Sequence, residues 1–403
     1  MTSKARVVSG MRPTGRLHLG HLVGALGNWV PLQDQYDCFY FVADWHALTS
    51  DFADTSQLTS YTYENVADWI GAGLDPEKST FFVQSLVPEH AELFLLLSMV
   101  VPVPWLERVP TYKEQQEKLA DKDLATYGFL GYPLLQSADI LIYRANMVPV
   151  GEDQVPHVEF TREVGRRFNH LYGKPPGFEE KAEEAIRKLG SRRARLYRQL
   201  RTRYVEQGDT EALAAARALL DETQNLSMGD YERLFGYLEG GGRLILTEPK
   251  ALLTESSRMP GTDGQKMSKS YGNTIGLREA PDSVIKKIRT MPTDPARVRR
   301  SDPGDPVKCP VWQFHLVYSD KQRQDWVQTG CRSAGIGCLQ CKQPVIDAIL
   351  EEQQPMRARA EPYLKDPMLL NSIVADGCEK ARKLSAETMR DVREAMGLGR
   401  NTM

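Results

Sequence analysis

The sequence has no long apolar run. Its longest, residues 93–106, is interrupted by Ser98, Pro102 and Pro104, and it is shorter than the roughly 20 residues that a membrane-spanning helix needs. We therefore predict buried core here and no membrane partner. The first eight residues carry Lys4 and Arg6 without the apolar stretch of a signal peptide, which favours a cytoplasmic protein.

An excess of charge of one sign is also missing. The 403 residues include 51 Lys and Arg against 53 Asp and Glu, a net charge of -2, so a nucleic acid would have to bind a local basic surface. With 41% apolar and 26% charged residues, the composition is typical of a globular chain of about two or three domains, and it excludes a collagen or a disordered chain.

Short apolar strands alternate with helical segments in the first part of the chain. The pattern predicts strands at 6–9, 38–43, 79–83 and 146–150, and helices at 21–33, 57–72, 89–100, 132–143 and 154–171. This alternation indicates a parallel sheet with helical crossovers. We predict an α/β fold class, with one α/β domain over residues 1–175.

The composition changes after this domain. A charged segment with a helical pattern predicts a helical insertion over 176–245, and a glycine-rich loop region follows at 246–280. Beyond it, helix-like stretches with little β-branched alternation predict an all-helical C-terminal domain over 281–403.

Two histidines mark the point where the first predicted strand leads into its helix, in the sequence His18-Leu19-Gly20-His21. Open α/β sheets bind nucleotide phosphates at this position. The imidazoles can donate to phosphate oxygens, and Gly20 leaves space for a nucleotide against the backbone. The alternative is a pair of surface histidines at a helix cap.

Two further loops carry polar groups suited to a nucleotide. Residues 266–270, Lys-Met-Ser-Lys-Ser, lie between glycines and carry two ammonium groups that can follow a departing pyrophosphate; the alternative is a solvated basic loop. Residues 151–154, Gly-Glu-Asp-Gln, follow the fourth strand and offer acceptors for ribose hydroxyls or an amino group, or else a polar helix cap formed by Asp153.

Together these segments resemble a known family. His-Leu-Gly-His and Lys-Met-Ser-Lys-Ser resemble the two signature motifs of class I aminoacyl-tRNA synthetases. The surrounding sequence is similar to that of tryptophanyl-tRNA synthetases, in Arg-Pro-Thr-Gly at 12–15, Asp-Trp-His-Ala at 44–47, and the segments 132–139, 148–154 and 264–273. The similarity covers the chain except for roughly residues 176–245, and it implies a Rossmann-like catalytic domain followed by a helical tRNA anticodon-binding domain.

The resemblance implies a role for each matching residue. Asp139 would accept the indole N–H of tryptophan, Tyr132 and Gln154 would hold its amino-acid end, and His46, Val148 and Val150 would line the indole pocket; Arg12 and Gln136 complete the expected substrate site. The expected catalytic residues are His18, Gly20, His21, Lys266 and Lys269. The expected ATP site comprises Thr14, Gly20, His21, Gly151, Asp153, Lys266, Met267, Ser268 and Lys269, with either Lys113 or Lys118 near the triphosphate.

Of the six cysteines, four are clustered, at Cys309, Cys331, Cys338 and Cys341. Their spacing suits tetrahedral zinc or a four-cysteine iron–sulfur cluster, and spacing alone leaves both open. The surrounding residues resemble the subset of tryptophanyl-tRNA synthetases with a 4Fe-4S cluster near the anticodon-binding region. That resemblance implies a 4Fe-4S cofactor with a structural role.

The implied function is ATP-dependent activation of L-tryptophan and its transfer to tRNA(Trp), with magnesium accompanying ATP, in a homodimer. A tyrosyl-specific relative and a non-catalytic RNA-binding or iron–sulfur sensing paralogue are the alternatives. In the insertion, residues 181–204 contain nine basic residues against two acidic ones, with Tyr197 and Tyr204 interleaved. This helix either lies along tRNA phosphates or is neutralised by the acidic segment 206–239.

Overall fold

A computed structural model describes residues 4–109, 126–174, 177–207, 209–223, 226–238, 242–254 and 259–398. Its strands are β1 (Arg6–Met11), β2 (Asp37–Val42), β3 (Ser79–Val83), β4 (Met147–Val150) and β5 (Lys250–Leu253). Helices up to the insertion are Leu19–His21, Gly27–Gln35, Asp44–Asp51, Leu58–Ala72, Glu89–Ser98, Val103–Glu107, Tyr127–Leu141 and Val155–Tyr172. A π-helical segment, Leu22–Leu26, joins the first two. Lys113 and Lys118 lie outside the described residues.

The five strands form one sheet in the order β3-β2-β1-β4-β5. β1 pairs parallel with β2, with Val8 opposite Phe39, and β2 pairs parallel with β3. Every residue of β3 is buried, as expected for a sheet covered on both faces. The predicted Rossmann-like α/β class is confirmed. β1 and β4 are neighbours, and the carboxyl ends of two such strands flank the position where open α/β sheets bind ligands.

Four predicted strands match β1 to β4, and the fifth strand was missed. β5 has four residues, begins at Lys250 and is partly exposed along its length. A strand this short, without a buried apolar face, gives little alternation for a sequence-based prediction to detect.

The described residues form two compact units. The first contains the chain up to residue 86 with 149–153 and 252–379, and the second contains 87–148, 154–251 and the chain from 380 onward. The division into four consecutive domains, 1–175, 176–245, 246–280 and 281–403, stays a prediction.

The C-terminal region is helical, as predicted. Its helices are Pro281–Thr290, Pro310–Tyr318, Lys321–Arg332, Cys338–Lys365 and Pro367–Ala395. Within the first unit, the last helix packs closely on β3: a Cβ at Gly377 would lie 1.8 Å from the carbonyl oxygen of Phe81, so only glycine allows this approach. No helix of the described part has the length and apolarity to cross a bilayer.

The insertion has its own core within the second unit. Its helices are Phe178–Lys188, Ser191–Gln207, Thr210–Asp221 and Met228–Leu238, and they enclose Ile186, Tyr197 and Leu234 without solvent exposure. The Tyr197 hydroxyl donates to the Leu234 carbonyl oxygen at 2.5 Å. The Tyr197 side chain, which lies between basic residues in the sequence, therefore belongs to this core and not to the exposed face of its helix.

Candidate active site

The loop after β1 ends in a helix cap made by two histidines. His18 has extended backbone geometry, and its Nδ1 accepts from the Gly20 N–H at 3.2 Å. The His18 N–H in turn donates to His21 Nδ1 at 3.2 Å. The two rings lie 3.9 Å apart. The two histidines thus form a reciprocal helix cap, and unlike the surface pair of the alternative interpretation they include a buried residue, since His18 is 8% exposed.

These two hydrogen bonds, together with the lowered pKa values, determine which nitrogen of each ring carries the proton. Burial, together with the charge of Lys269, lowers the pKa of His18 to about 4. Burial and the charges of His18 and Lys269 lower the pKa of His21 to about 3. Near pH 7 both rings are neutral, and since each Nδ1 accepts a backbone N–H, each Nε2 carries the proton. Both imidazoles therefore offer a hydrogen-bond donor.

The second signature loop lies against the first. The Leu19 N–H donates to the Ile275 carbonyl oxygen, and the Leu277 N–H donates to the Leu17 carbonyl oxygen, each at 3.0 Å. A Cβ at Gly20 would lie 3.8 Å from the Met267 Cβ and 2.9 Å from the His18 ring. Gly20 is therefore required by the folded-back ring of His18, a reason that the sequence did not indicate.

Lys269 is the central cation of this site. Its side chain runs past Gly15, where a Cβ would lie 3.3 Å from the Lys269 Nζ. This Nζ is buried and has no hydrogen-bond partner among the described residues. Burial lowers the pKa of Lys269 to about 8, Asp68 opposes this decrease, and Arg12 adds to it. A buried ammonium without a partner is costly, and an anion bound beside it would remove that cost.

Asn273 holds the second loop in shape. It is 2% exposed; its Oδ1 accepts from the Ser268 N–H at 2.8 Å, and its Nδ2 donates to Asp263 at 2.7 Å and to the Lys266 carbonyl oxygen at 3.1 Å. Met267 is buried and Lys266 is exposed. The motif pattern indicated no separate role for Asn273, and only its polar side chain at the end of a glycine-rich loop could have done so.

The other expected residues of the first unit differ in exposure. Arg12, Thr14 and Asp153 are exposed, and Gly151 is partly exposed. His46 and Val150 are each 9% exposed, and their role in an indole pocket stays a prediction. The Arg12 guanidinium donates to the Ser50 hydroxyl at 3.4 Å.

The remaining substrate-site residues lie in the second unit. Tyr132 is 9% exposed and its ring centroid lies 5.9 Å from that of His157. Val148 is buried on the same face of β4 as Val150. Gln136 and Gln154 are partly exposed.

Asp139 has a partner that the sequence did not indicate. It is 1% exposed, as its apolar neighbours predicted, and its Oδ1 lies 2.6 Å from His90 Nδ1. The other ring nitrogen of His90 lies 2.6 Å from the Tyr143 hydroxyl. His90 is 49 residues away in sequence, and no local pattern connects it to Asp139.

The four clustered cysteines lie close together in the first unit. Burial, and then the charges of Cys309, Cys331 and Cys338, raise the pKa of Cys341 to about 12. The Arg297 Nη1 lies 3.8 Å from the Cys331 Sγ. Within the described ranges, however, no group of three or more His, Cys, Asp or Glu side chains is arranged to hold a metal ion.

The sequence and the structure are similar to those of known synthetases. The sequence model of the family described as tRNA synthetases class I (W and Y) matches residues 1–186 and 213–351. A tryptophan–tRNA ligase of Ralstonia nicotianae is 69% identical over 98% of both chains, and one of Thermotoga maritima is 44% identical over 98% of this chain and 99% of its own. The chain belongs to the class I tryptophanyl-tRNA synthetases.

Solved structures of tryptophanyl-tRNA synthetases have the same fold. The Campylobacter jejuni synthetase complexed with ADP and tryptophan superposes with a TM-score of 0.72 at 29% identity, over 98% of this chain and 100% of that one. The family model leaves residues 187–212 unmatched, and these include the whole of the insertion's arginine-rich helix, Ser191–Gln207.

The lowered pKa of the buried Lys269 ammonium predicts that kcat/KM for ATP decreases at alkaline pH. Because its pKa is about 8, raising the pH through this value removes the positive charge that attracts the triphosphate, and kcat/KM for ATP should decrease above about pH 8. The bound triphosphate favours the charged ammonium, so the limit in kcat should lie at higher pH. Pyrophosphate exchange measured from pH 6 to 10 reports both values.

Two arginine variants test this assignment. Lys269→Arg keeps its charge throughout the range and should lose the limit near pH 8, whereas the exposed Lys266→Arg should retain it. An unchanged pH profile in Lys269→Arg would contradict the role of Lys269 as the titrating cation.

Proposed function

We propose that the chain activates L-tryptophan with ATP and transfers it to tRNA(Trp). A carboxylate oxygen of tryptophan attacks the α-phosphorus of ATP, the bond to the bridging oxygen breaks, and pyrophosphate leaves. The tryptophanyl group then passes to a hydroxyl of the terminal ribose of the tRNA, and AMP leaves. The observation that carries this proposal is the buried Lys269 ammonium beside two imidazoles that each offer an Nε2 proton.

These groups match the charge that develops in the first step. Negative charge increases on the oxygens of the departing pyrophosphate, and donors already fixed in place stabilise it without reorganisation. The His18 and His21 rings are fixed by backbone hydrogen bonds, whereas Lys266 is exposed on its loop and can follow the phosphate. Magnesium bound to ATP supplies further charge neutralisation.

The buried carboxylate of Asp139 supports tryptophan as the amino acid. Indole nitrogen is a donor only, so a buried acceptor rejects substrates that lack this donor. The tyrosyl-specific alternative is less well supported, because the relatives that match 98% of this chain at 69% and 44% identity are named tryptophan–tRNA ligases. A non-catalytic paralogue is disfavoured because both signature motifs retain their histidines and lysines.

Amino-acid-dependent pyrophosphate exchange tests the activity. Tryptophan should support exchange, and tyrosine should support less than roughly a thousandth of that rate, since a site built around a polar partner rejects mismatched substrates by several orders of magnitude. Aminoacylation of tRNA(Trp) should follow with the same preference. Equal exchange with tyrosine would favour the tyrosyl alternative, and no exchange with any amino acid would favour the non-catalytic one.

We also propose that Cys309, Cys331, Cys338 and Cys341 hold a 4Fe-4S cluster. Each thiolate of such a cluster binds a different iron, so the four sulfurs lie further apart than around a single zinc ion. The proposal rests on the cysteine spacing and on the family resemblance. In the structure the thiols lie close enough that Cys309, Cys331 and Cys338 raise the pKa of Cys341. Arg297 and the 3% exposed Lys342 are cations that suit an anionic group, and the cluster would act as a structural brace.

Metal analysis after anaerobic purification distinguishes the two metals. About four iron and four sulfide per chain are expected, with visible absorption, and Cys341→Ser should lose the absorption while Cys38→Ser, at a buried cysteine outside the cluster, retains it. About one zinc per chain without visible absorption would replace this proposal with a tetrahedral zinc site.

For tRNA, we propose a contact surface on the insertion. A groove of about 540 Å³ is lined by three arginines and no acidic residue, namely Arg187, Ser191, Ala194, Arg195, Arg198 and Gln199. Lys188 pairs with Asp230 at 2.7 Å and Arg203 pairs with Asp209, and these contacts with the acidic segment 206–239 support the alternative interpretation. Arg198 pairs with Glu183, within the basic segment itself, at 2.6 Å. Arg187, Arg192 and Arg195 are exposed and form no ion pair within the described residues.

Salt dependence tests this surface. The triple variant Arg187→Gln, Arg195→Gln, Arg198→Gln should raise the KM for tRNA and lower the slope of log KM against log salt by roughly one for each phosphate that the variant no longer binds. The control is Arg162→Gln with Arg166→Gln, two arginines of the same unit that pair with Glu159 and Glu163. Tryptophan-dependent exchange should be unchanged in both. An unchanged tRNA KM and slope in the triple variant would mean that the insertion only neutralises itself.

We further propose a homodimer located in the cytoplasm, where the tRNA is. In the second unit, Leu95, Met99, Val103 and Tyr127 are between 53% and 67% exposed. Large apolar side chains that would be buried between two copies favour such an assembly.

A further inference from the structure

Three polar side chains form a continuous hydrogen-bonded chain in the interior of the second unit. Tyr143, His90 and Asp139 are connected by contacts of 2.6 Å each, and their exposures are 0%, 0% and 1%. His90 is at the start of the helix Glu89–Ser98. Asp139 is in the helix Tyr127–Leu141, and Tyr143 follows it one turn later, so one imidazole reaches both side chains.

The chemistry of the three side chains determines which one donates and which one accepts in each of the two hydrogen bonds. A carboxylate only accepts hydrogen bonds, so the Nδ1 proton of His90 points at Asp139. With the proton on Nδ1, Nε2 is left to accept the hydroxyl proton of Tyr143. Each group thus fixes the next, from the Tyr143 hydroxyl through the ring to one oxygen of the carboxylate.

We propose that His90 is a positioning residue for tryptophan selection, and that it acts by fixing the Asp139 carboxylate in the orientation that accepts the indole N–H. The inference rests on the proposed function, because it takes Asp139 as the acceptor. The carboxylate has two oxygens with about four acceptor sites, so one hydrogen bond from His90 does not exclude a second from the substrate. Tyr143 is a positioning residue for His90.

The cost of the arrangement supports this role. Burying three polar groups is unfavourable unless each is paired, and apolar residues of similar size often stabilise a core at least as well. Without His90, the buried carboxylate would lose this donor in the enzyme that has no tryptophan bound, and other rotamers would become accessible to it. With His90, the acceptor is held in place before substrate binds, which lowers the reorganisation needed in selection.

The test compares tryptophan with 3-benzothienylalanine, an analogue in which sulfur replaces the indole N–H. The quantity measured is the ratio of kcat/KM for the two substrates in pyrophosphate exchange. In the unmodified enzyme tryptophan should be strongly preferred, and Asp139→Asn provides the reference for an acceptor that has been removed. A general loss of packing would lower both rates together, whereas a loss of orientation lowers the rate with tryptophan alone.

Three variants resolve the chain of contacts. His90→Leu removes both hydrogen bonds and should decrease the tryptophan preference at least about tenfold, the worth of one hydrogen bond. His90→Asn places an amide donor where Nδ1 lies, and it should retain most of the preference. Tyr143→Phe leaves the ring without its outer partner and should decrease the preference by less than His90→Leu. Tyr143→Phe changes one hydroxyl only, so it provides the test if His90→Leu does not fold.

Each outcome supports or overturns the proposal. A lower preference in His90→Leu that His90→Asn restores supports it. If the preference is unchanged in both His90→Leu and Tyr143→Phe, or in Tyr143→Phe when His90→Leu does not fold, His90 has only a structural role and the inference is wrong. If the unmodified enzyme does not activate tryptophan, or Asp139→Asn does not alter the preference, the proposed function or its assignment of Asp139 fails instead.

Discussion

Two backbone hydrogen bonds connect the signature loops, and the candidate ATP site depends on them. They join Leu17 and Leu19 to Leu277 and Ile275, so segments about 250 residues apart in sequence lie side by side. Because the second segment follows directly after the glycine-rich loop, this pairing places Met267 and Lys269 against Gly20 and Gly15. If the pairing were absent, the two histidines would remain a helix cap, and the lysine would be the solvated cation that the sequence alone also allowed.

Burial determines how much positive charge the candidate site carries. Desolvation lowers the pKa of His18, His21 and Lys269, so both histidines are neutral near pH 7 and the total positive charge is smaller than three. Three full charges at these distances would repel one another in a region of low dielectric constant. Two neutral donors and one ammonium avoid most of that repulsion and still offer hydrogen bonds to a phosphate.

The sequence predicted the parts of the molecule that depend on local patterns. Strands β1 to β4 and the helices Leu58–Ala72 and Glu89–Ser98 follow from apolar patterns, whereas the helices Asp44–Asp51 and Val103–Glu107 were not predicted. The motifs at 18–21 and 266–270 indicated the candidate ATP site. The sequence-based prediction missed features that depend on tertiary contacts. Lys266 and Lys269 are equivalent in the motif, yet Lys266 is exposed and the Lys269 Nζ is buried, because Gly15 leaves space for the Lys269 side chain. The burial of Tyr197 was missed for the same reason, since residues that bury it come from other helices of the insertion.

Histidine illustrates why the motif does not fix the chemistry. In the first unit, backbone N–H groups donate to Nδ1 of His18 and His21, which leaves the proton on Nε2 and turns that atom toward an acceptor. In the second unit, a carboxylate accepts from Nδ1 of His90, which leaves Nε2 as the acceptor. Histidine therefore donates from Nε2 at positions 18 and 21 and from Nδ1 at position 90, according to the partner that the fold provides. Residue identity gives the two nitrogens, and only the tertiary structure decides which of them is the donor.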